Sequence, residues 1–190
     1  MRTDARNVPD VVTQVPTGVW APGDADTAVD ELYAAHWRRL VRLSVLLVHE
    51  QELAEEIVQD AFVAMHGRWR RLREADKAAA YLRQSVVNRS RSALRHRGVV
   101  ERHARAQRPT EPLPGADATS EDRARRIVVL DALRSLPARQ REVIALRYYL
   151  DLSENEIAEA LGISRGAVKT HASRGSTALR RLLADENGSD

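Results

Sequence analysis

The chain contains 190 residues with a formal net charge of +3 and no cysteine, which excludes disulfides and cysteine-based zinc sites. Aromatic residues make up only 4% of the sequence, while Ala, Leu, Arg and Glu dominate it, and this composition favours helix over a large β core. No apolar run approaches the roughly 20 residues that a membrane span needs, and the first residues lack the apolar core of a signal peptide. We therefore expect an all-α, cytoplasmic protein without membrane insertion.

The N-terminal part of the chain divides into an arm and a helical region. Residues 1–26 are rich in Pro, Gly, Asp and Thr and show no hydrophobic periodicity, which predicts a disordered N-terminal arm. Two helices are predicted next, at 29–48 and 52–72, because apolar side chains recur there with helical spacing. We assign them to a first helical domain at residues 27–97.

The helix predicted at 52–72 carries acidic and amide side chains outside its apolar stripe. Glu56, Gln59 and Asp60 lie on this polar side. A run of charges on a helix is usually a solvated face, but it also suits the docking of a basic partner helix. The residues alone leave both interpretations open.

Positive charge is concentrated between residues 66 and 108, where 13 basic and 3 acidic side chains occur. This segment includes a connector at 68–77 and a helix predicted at 78–97. Cations close to aromatic rings suit the binding of single-stranded or distorted DNA, because the cations pair with the phosphate backbone and the rings stack on the bases. The alternative is a merely solvated basic helix. The residues that we assign to this DNA contact are Trp69, Arg70, Arg71, Arg73, Lys77, Tyr81, Asn88, Arg91 and Arg95.

A linker is predicted at residues 98–122, which contain three prolines and none of the apolar spacing of a helix core. Fully extended, about 25 residues at roughly 3.3 Å each span some 80 Å. A flexible linker of this length can place two domains on well-separated DNA sites.

The second domain, at residues 123–186, is predicted to contain a helix–turn–helix. Ser153 with Glu156 forms a capping-box pattern at the start of a short helix. Gly162 suits the left-handed position that ends that helix, and Ser164 suits the N-cap of the next one. The last helix would then be the recognition helix that enters the major groove.

The last helix has one apolar stripe, formed by Val168, Ala172, Gly175, Leu179 and Leu182. Opposite this stripe lie short hydrogen-bonding residues and a long cation, which suit base edges, and flanking cations suit phosphates. The alternative is a simple helical hairpin with a solvated polar face. The residues that we assign to duplex DNA are Arg165, Lys169, Thr170, His171, Ser173 and Arg174.

The sequence carries no indication of catalysis. It contains no metal-ligand cluster, glycine-rich phosphate loop or nucleophile motif, and its six histidines are scattered. We therefore expect no enzyme activity, no cofactor and no bound metal.

Residues 30–183 together resemble the extracytoplasmic-function group of bacterial sigma factors, within the sigma-70 family. AEEIVQDAFVAMHGRW is similar to the core-polymerase-binding helix of the family, and AYLRQSVVNRSRSALRHR is similar to its −10-reading helix. LPARQREVIALRYYLDLSENEIAEALGISRGAVKTHASRGSTALRRL resembles its −35-reading domain. The resemblance implies an alternative sigma factor that binds core RNA polymerase, recognises promoter DNA and directs transcription initiation.

The resemblance also implies roles for single residues. Glu56, Gln59 and Asp60 would contact a basic coiled coil of the polymerase large subunit. The loop at 70–77 would capture a flipped −10 base, and the non-template strand would be held by Asn88, Arg91 and Arg95. The −35 bases would meet Lys169, Thr170 and Ser173, and the −35 phosphates would meet Arg165, His171 and Arg174.

The sequence departs from the usual family pattern at three positions. Ser92 stands where Asp is common, and His171 and Gly175 stand where Arg and Ala are common. These departures bear on the promoter sequence more than on the function.

Many family members are bound by an anti-sigma factor, so the resemblance is compatible with such a partner. GISRGAVKTH also fits LuxR-type regulators, and a stand-alone helix–turn–helix regulator is therefore the alternative function.

Overall fold

The computed structural model describes residues 25–72, 74–100 and 120–187. The N-terminal part contains α1 (Ala25–Val48), α2 (Gln51–His66), α3 (Trp69–Leu72) and α4 (Ala75–Val100). The C-terminal part contains α5 (Ser120–Ser135), α6 (Ala138–Ile144), a π-helical segment (Ala145–Tyr149), α7 (Glu154–Leu161) and α8 (Arg165–Asn187). None of these helices is long and apolar enough to cross a membrane. Residues 1–24 of the predicted arm and residues 101–119 of the predicted linker lie outside the described ranges.

The first three long helices pack against one another around a common apolar core. Leu32 and Leu43 of α1, Val58 of α2, and Leu82 and Val86 of α4 are all fully buried. Each helix contributes the apolar stripe that its sequence period indicates, so its polar side remains at the surface. The acidic side of α2 and the basic side of α4 are thereby placed on the outside of one small bundle.

The prediction of one helix across residues 52–72 is wrong. Helix α2 ends at His66, and a turn at Gly67 and Arg68 separates it from the short α3. Glycine is a poor helix former, and the Gly67 and Arg68 amides donate to the Val63 and Met65 carbonyls at 3.2 and 2.9 Å. The turn redirects Trp69 into the core, where it is only 4% exposed. The predicted role of Trp69 as a stacking surface for DNA is therefore also wrong in this conformation, because a buried ring offers no face to a base.

The C-terminal helices pack around Val143, Leu146, Ile157 and Val168, which are all fully buried. Val143, Leu146 and Leu150 form the apolar side of α6 and of the residues that follow it. The turn at residues 145–149 is wider than that of an α-helix, because these residues adopt π-helical hydrogen bonding. This local widening precedes the turn into α7.

The two halves of the molecule pack against each other through α1 and α4 on one side and α5, α6, the π-helical segment and α7 on the other. The Arg39 guanidinium donates to the Leu150 carbonyl at 3.0 Å, and Arg134 donates to the His49 carbonyl at 3.1 Å. A single buried apolar cluster runs through both halves. The two helical units therefore share an interface in this structure.

Candidate nucleic-acid and polymerase interfaces

The helix–turn–helix is held by caps at both helix starts. The Ser153 backbone amide and hydroxyl donate to the Glu156 carboxylate at 2.9 and 2.7 Å, and the Glu156 amide donates to the Ser153 hydroxyl at 3.3 Å. These hydrogen bonds lower the pKa of Glu156. Gly162 adopts the left-handed conformation with φ 63°, and the Ala167 amide donates to Ser164 Oγ at 3.2 Å. The predicted capping box, helix end and second cap are all confirmed.

The recognition helix α8 buries the predicted stripe and exposes the predicted DNA face. Val168, Ala172 and Gly175 are buried, and Leu179 and Leu182 are partly buried. The outward side exposes Lys169, Thr170, Ser173 and Arg174, which were predicted to face DNA, and Thr177 as well. The side opposite the core thus presents hydroxyl groups and a cation, with a second cation beside them.

Several of the residues assigned to duplex DNA make contacts that the sequence did not reveal. The Thr170 hydroxyl donates to the Gly166 carbonyl at 3.0 Å, which leaves the hydroxyl oxygen available as an acceptor. Arg165 and Lys169 both lie 3.8 Å from the Glu154 carboxylate. His171 is half-buried, with its Nδ1 atom buried, so it lies nearer the core than the flanking position predicted for it.

Helix α4 forms one wall of an open polar groove of about 470 Å³. Tyr81 and Asn88, both assigned to −10 DNA, line it, and the Arg68 guanidinium lies 5.4 Å above the centre of the Tyr81 ring. Five further lining residues were not among those assigned to −10 DNA. Helical spacing from Tyr81 and Asn88 indicates three of them, since residues three and four apart share a helix face. The five residues are Arg68, Gln84, Ser85, Arg89 and Ser92.

Two of the connector residues assigned to the −10 element, Arg71 and Lys77, are not among the residues that line this groove. Arg71 is exposed. Lys77 is exposed as well, and its ammonium group pairs with Glu74 at 2.6 Å. The position of Arg73 and the side chain of Arg70 lie outside what the structure describes.

Two of the arginines assigned to the −10 strand are held by other side chains. The Arg91 guanidinium makes a two-pronged ion pair with the Glu142 carboxylate of α6, with N–O distances of 3.0 and 2.9 Å. Arg139 also donates to Glu142, whose side chain is only 7% exposed. Arg95 donates to Ser92 Oγ at 3.1 Å and remains exposed. Arg91 therefore joins the two halves of the molecule.

The three residues assigned to core polymerase lie together on the exposed side of α2. Glu56 and Gln59 are exposed, as is Asp60. The Asp60 carboxylate accepts a hydrogen bond from Arg89 of α4 at 2.7 Å, which links this face to the groove. The face and the groove are thus neighbouring surfaces of opposite charge.

Comparison with known protein families identifies both halves of the chain. Residues 32–99 match the model for sigma-70 region 2, and residues 126–179 match the model for sigma-70 region 4. These ranges contain the α2 acidic face, the α4 groove and the first two thirds of the recognition helix.

Curated relatives match across most of the chain. An RNA polymerase sigma-E factor of Streptomyces avermitilis is 36% identical over 146 residues, which is 76% of this chain and 78% of that protein. The ECF RNA polymerase sigma factor SigM of Mycobacterium tuberculosis is 32% identical over 160 residues, covering 82% of this chain and 77% of that protein.

Solved structures share the same fold. The sigma factor RpoE of Bartonella quintana, in complex with the anti-sigma factor NepR, superposes with a TM-score of 0.64 at 21% identity, over 83% of this chain and 92% of that one. CnrH in complex with the cytosolic domain of CnrY superposes with a TM-score of 0.60 at 24% identity, over 85% and 95%. The chain belongs to the extracytoplasmic-function group of the sigma-70 family, the alternative sigma factors that direct transcription initiation.

Proposed function

We propose that the chain binds core RNA polymerase through Glu56, Gln59 and Asp60 on α2. The proposal is supported by their common exposure on one helix side and by the family match of this segment to region 2. Two carboxylates and an amide on one helix side suit a basic partner helix, since complementary charges speed association and fix the register of docking.

The groove along α4 is proposed to bind the −10 region as single-stranded DNA. Its lining combines the Tyr81 ring and the Arg68 cation with the Asn88 amide, which are the groups that stack on bases, neutralise phosphates and read base edges. Arg91 would join this surface only after exchanging the Glu142 carboxylate for a DNA phosphate. The cationic side chains of Arg71, Arg95 and Lys77 would make further contacts with the phosphate backbone of the DNA.

The outward face of α8 is proposed to read the −35 element. Lys169, Thr170 and Ser173 would face base edges, and Arg165, His171 and Arg174 would contact phosphates. The exposure of all these side chains except His171 supports the assignment, since they are available to a duplex without rearrangement of the core.

An anti-sigma factor is proposed as a further partner, and the cytoplasm as the place of action. RpoE and CnrH, which share this fold, were both solved in complex with another protein: NepR, an anti-sigma factor, and the cytosolic domain of CnrY. The organisation into an arm at 1–26, domains at 27–97 and 123–186, and a linker at 98–122 is also retained as a proposal.

The observation that carries the proposed function is the combination, in one chain, of an acidic α2 face beside an α4 groove and a capped recognition helix with an exposed polar side. Run-off transcription with purified core polymerase on a genomic promoter library tests it. We expect a stable complex with core and transcripts from a defined promoter class. Absence of both core binding and promoter-dependent transcripts would overturn the proposal.

A further inference from the structure

Glu154 is an acidic residue at the centre of a cluster of cations on the DNA-facing side of the helix–turn–helix. It is the first residue of α7, and its side chain is 26% exposed. Its Oε2 atom lies 3.8 Å from Arg165 Nη2 and 3.8 Å from Lys169 Nζ, both on α8. Its Oε1 atom lies 3.8 Å from Arg147 Nη1 of the π-helical segment. One carboxylate is therefore shared by three cations from two other elements.

The start of α7 does not need this carboxylate for capping. Ser153 and Glu156 already exchange the capping-box hydrogen bonds there. An acid in the first turn does interact favourably with the helix dipole, but that effect requires no contact with α8. The approach of Glu154 to Arg165 and Lys169 therefore calls for a different reason.

Each of the three ion pairs is long and partly exposed, so each contributes little to folding stability. Their shared effect is on side-chain direction. Arg165 and Lys169 lie four residues apart on one side of α8, and both the guanidinium and the ammonium group are drawn toward α7. A flexible lysine side chain otherwise samples many directions and can reach any nearby phosphate.

We propose that Glu154 is a positioning residue for −35 recognition, which holds Lys169 and Arg165 toward one edge of the recognition face and offsets their charge. This inference rests on the proposed −35 role of α8. By restraining the Lys169 ammonium group, Glu154 favours a defined base contact over sequence-independent phosphate contacts. By adding a negative charge beside the DNA, it also lowers affinity for every sequence alike.

The change Glu154→Gln keeps the side-chain size and removes the charge. The reconstituted holoenzyme carrying this variant is titrated with promoters that hold each single-base change of its −35 element, across a salt series. We expect affinity for mismatched promoters to rise by about 3- to 10-fold, discrimination between matched and mismatched promoters to fall by a similar factor, and the salt slope to steepen by about one unit.

Asp151→Asn is the matched control, because it removes one exposed negative charge three residues away. Asp151 has φ 55°, and asparagine tolerates this left-handed conformation. We expect the control to leave discrimination unchanged. Equal loss of discrimination in both variants would overturn the inference in favour of a general charge effect.

The double change Glu154→Gln with Lys169→Ala tests the route of action. If Glu154 works through Lys169, the double variant discriminates among promoters as Lys169→Ala alone does. Unchanged discrimination in Glu154→Gln, with or without a lower melting temperature, would overturn the inference and leave the proposed −35 role of α8 intact. A wild-type holoenzyme that shows no −35 preference would instead overturn that role.

Discussion

On the outward face of α8, some side chains are expected to contact bases and others to contact phosphates. Lys169 and Ser173 are exposed opposite the buried stripe, and Arg174 is exposed at the edge of that face. Lys169→Ala should change the preferred base at particular −35 positions, at about 1–3 kcal/mol for a good base contact. Arg174→Ala should weaken all −35 sequences alike and reduce the salt slope by about one unit. Binding to a set of −35 variants across a salt series measures both effects.

The opposite result for either variant would reassign the two residues. A uniform loss of affinity in Lys169→Ala would identify Lys169 as a phosphate contact and would require a different rotation of α8 in the groove. A changed base preference in Arg174→Ala would place Arg174 at the bases. Neither change should alter folding, because neither side chain is buried.

The acidic face of α2 offers a second test with single residues. Glu56→Arg should strongly reduce affinity for core polymerase, since it opposes a cation to a basic partner, and like-charge contact costs several kcal/mol. Asp30→Arg is the matched control, because Asp30 is also an exposed acid but lies on α1 rather than on the acidic face of α2. Titration with core polymerase at moderate salt measures both. Equal affinities for the two variants would contradict the assigned interface.

At the scale of elements, the contact between α6 and α8 depends on the absence of a side chain at Gly175. A Cβ atom there would lie 2.9 Å from Ile144 Cγ1 and 3.2 Å from Gln140 Cβ. Helix propensity alone favours alanine over glycine by about 1 kcal/mol. Close packing against α6 therefore explains why glycine occupies this position. This departure from the usual family residue therefore concerns packing in the core rather than promoter sequence.

Gly175→Ala should lower the stability of the chain, because overpacking a core contact costs typically about 1–3 kcal/mol and outweighs the gain in helix propensity. In the Ile144→Ala background the Cγ1 and Cδ1 atoms are gone, and only Gln140 Cβ, at 3.2 Å, remains close. The same glycine change should there cost much less stability. A double-mutant cycle by chemical denaturation measures the reduction. A cost that persists unchanged in the Ile144→Ala background would contradict the packing explanation.

The elements that were predicted from the sequence are those whose signals are local. Ser153, Glu156 and Gly162 specify the ends of α7 through contacts within a few residues, and all three behave as predicted. Trp69 was misassigned because its burial depends on a turn at Gly67 and on the packing of α3 against α2 and α4. Periodicity continues through such a turn and does not reveal it.

Contacts between the two halves could not be predicted from the sequence. Arg91 and Glu142 are 51 residues apart, and a charge pattern does not tell which acid a given arginine meets. The cation cluster at Glu154 was not predicted from the sequence for the same reason, because it depends on how the π-helical segment and α8 approach α7. The exposure of Lys169, Thr170 and Ser173 could be predicted, because it depends only on the position of the buried stripe of α8.

At the scale of the whole molecule, the interface between the halves contains a histidine that stays neutral. Burial, together with the nearby Arg141 and Arg134 guanidinium groups, lowers the pKa of His49 to about 3. The pKa of His36 in α1 is lowered as well, by burial and by Arg83 and Arg39. Both shifts have the same sign, so unfolding at mildly acidic pH takes up protons.

Stability should therefore be complete above about pH 6.5, the ordinary histidine pKa, and decline as the pH falls from there toward 3. Each histidine that protonates only on unfolding contributes at most about 1.4 kcal/mol per pH unit. Between pH 7 and 5, where carboxylates hardly titrate, His49→Asn should flatten the decline. Asparagine suits the φ of 64° at this position. Denaturant unfolding at several pH values measures the slope, and equal slopes for the two proteins would contradict a neutral buried His49.

The ion pair between Arg91 and Glu142 joins the two halves, and we expect it to compete with the proposed −10 binding by Arg91. Glu142 is almost completely buried and is held by Arg91 and Arg139, so removing its charge weakens the contact between the halves. Glu142→Gln should increase the radius of gyration in solution scattering and raise affinity for a single-stranded −10 oligonucleotide, because Arg91 becomes available to phosphate. Arg91→Ala should also expand the molecule but lower that affinity, since it removes the phosphate contact itself. The two variants thus share the first effect and differ in the sign of the second. A lower oligonucleotide affinity in both would show that Glu142 supports the −10 surface rather than competing with DNA for Arg91.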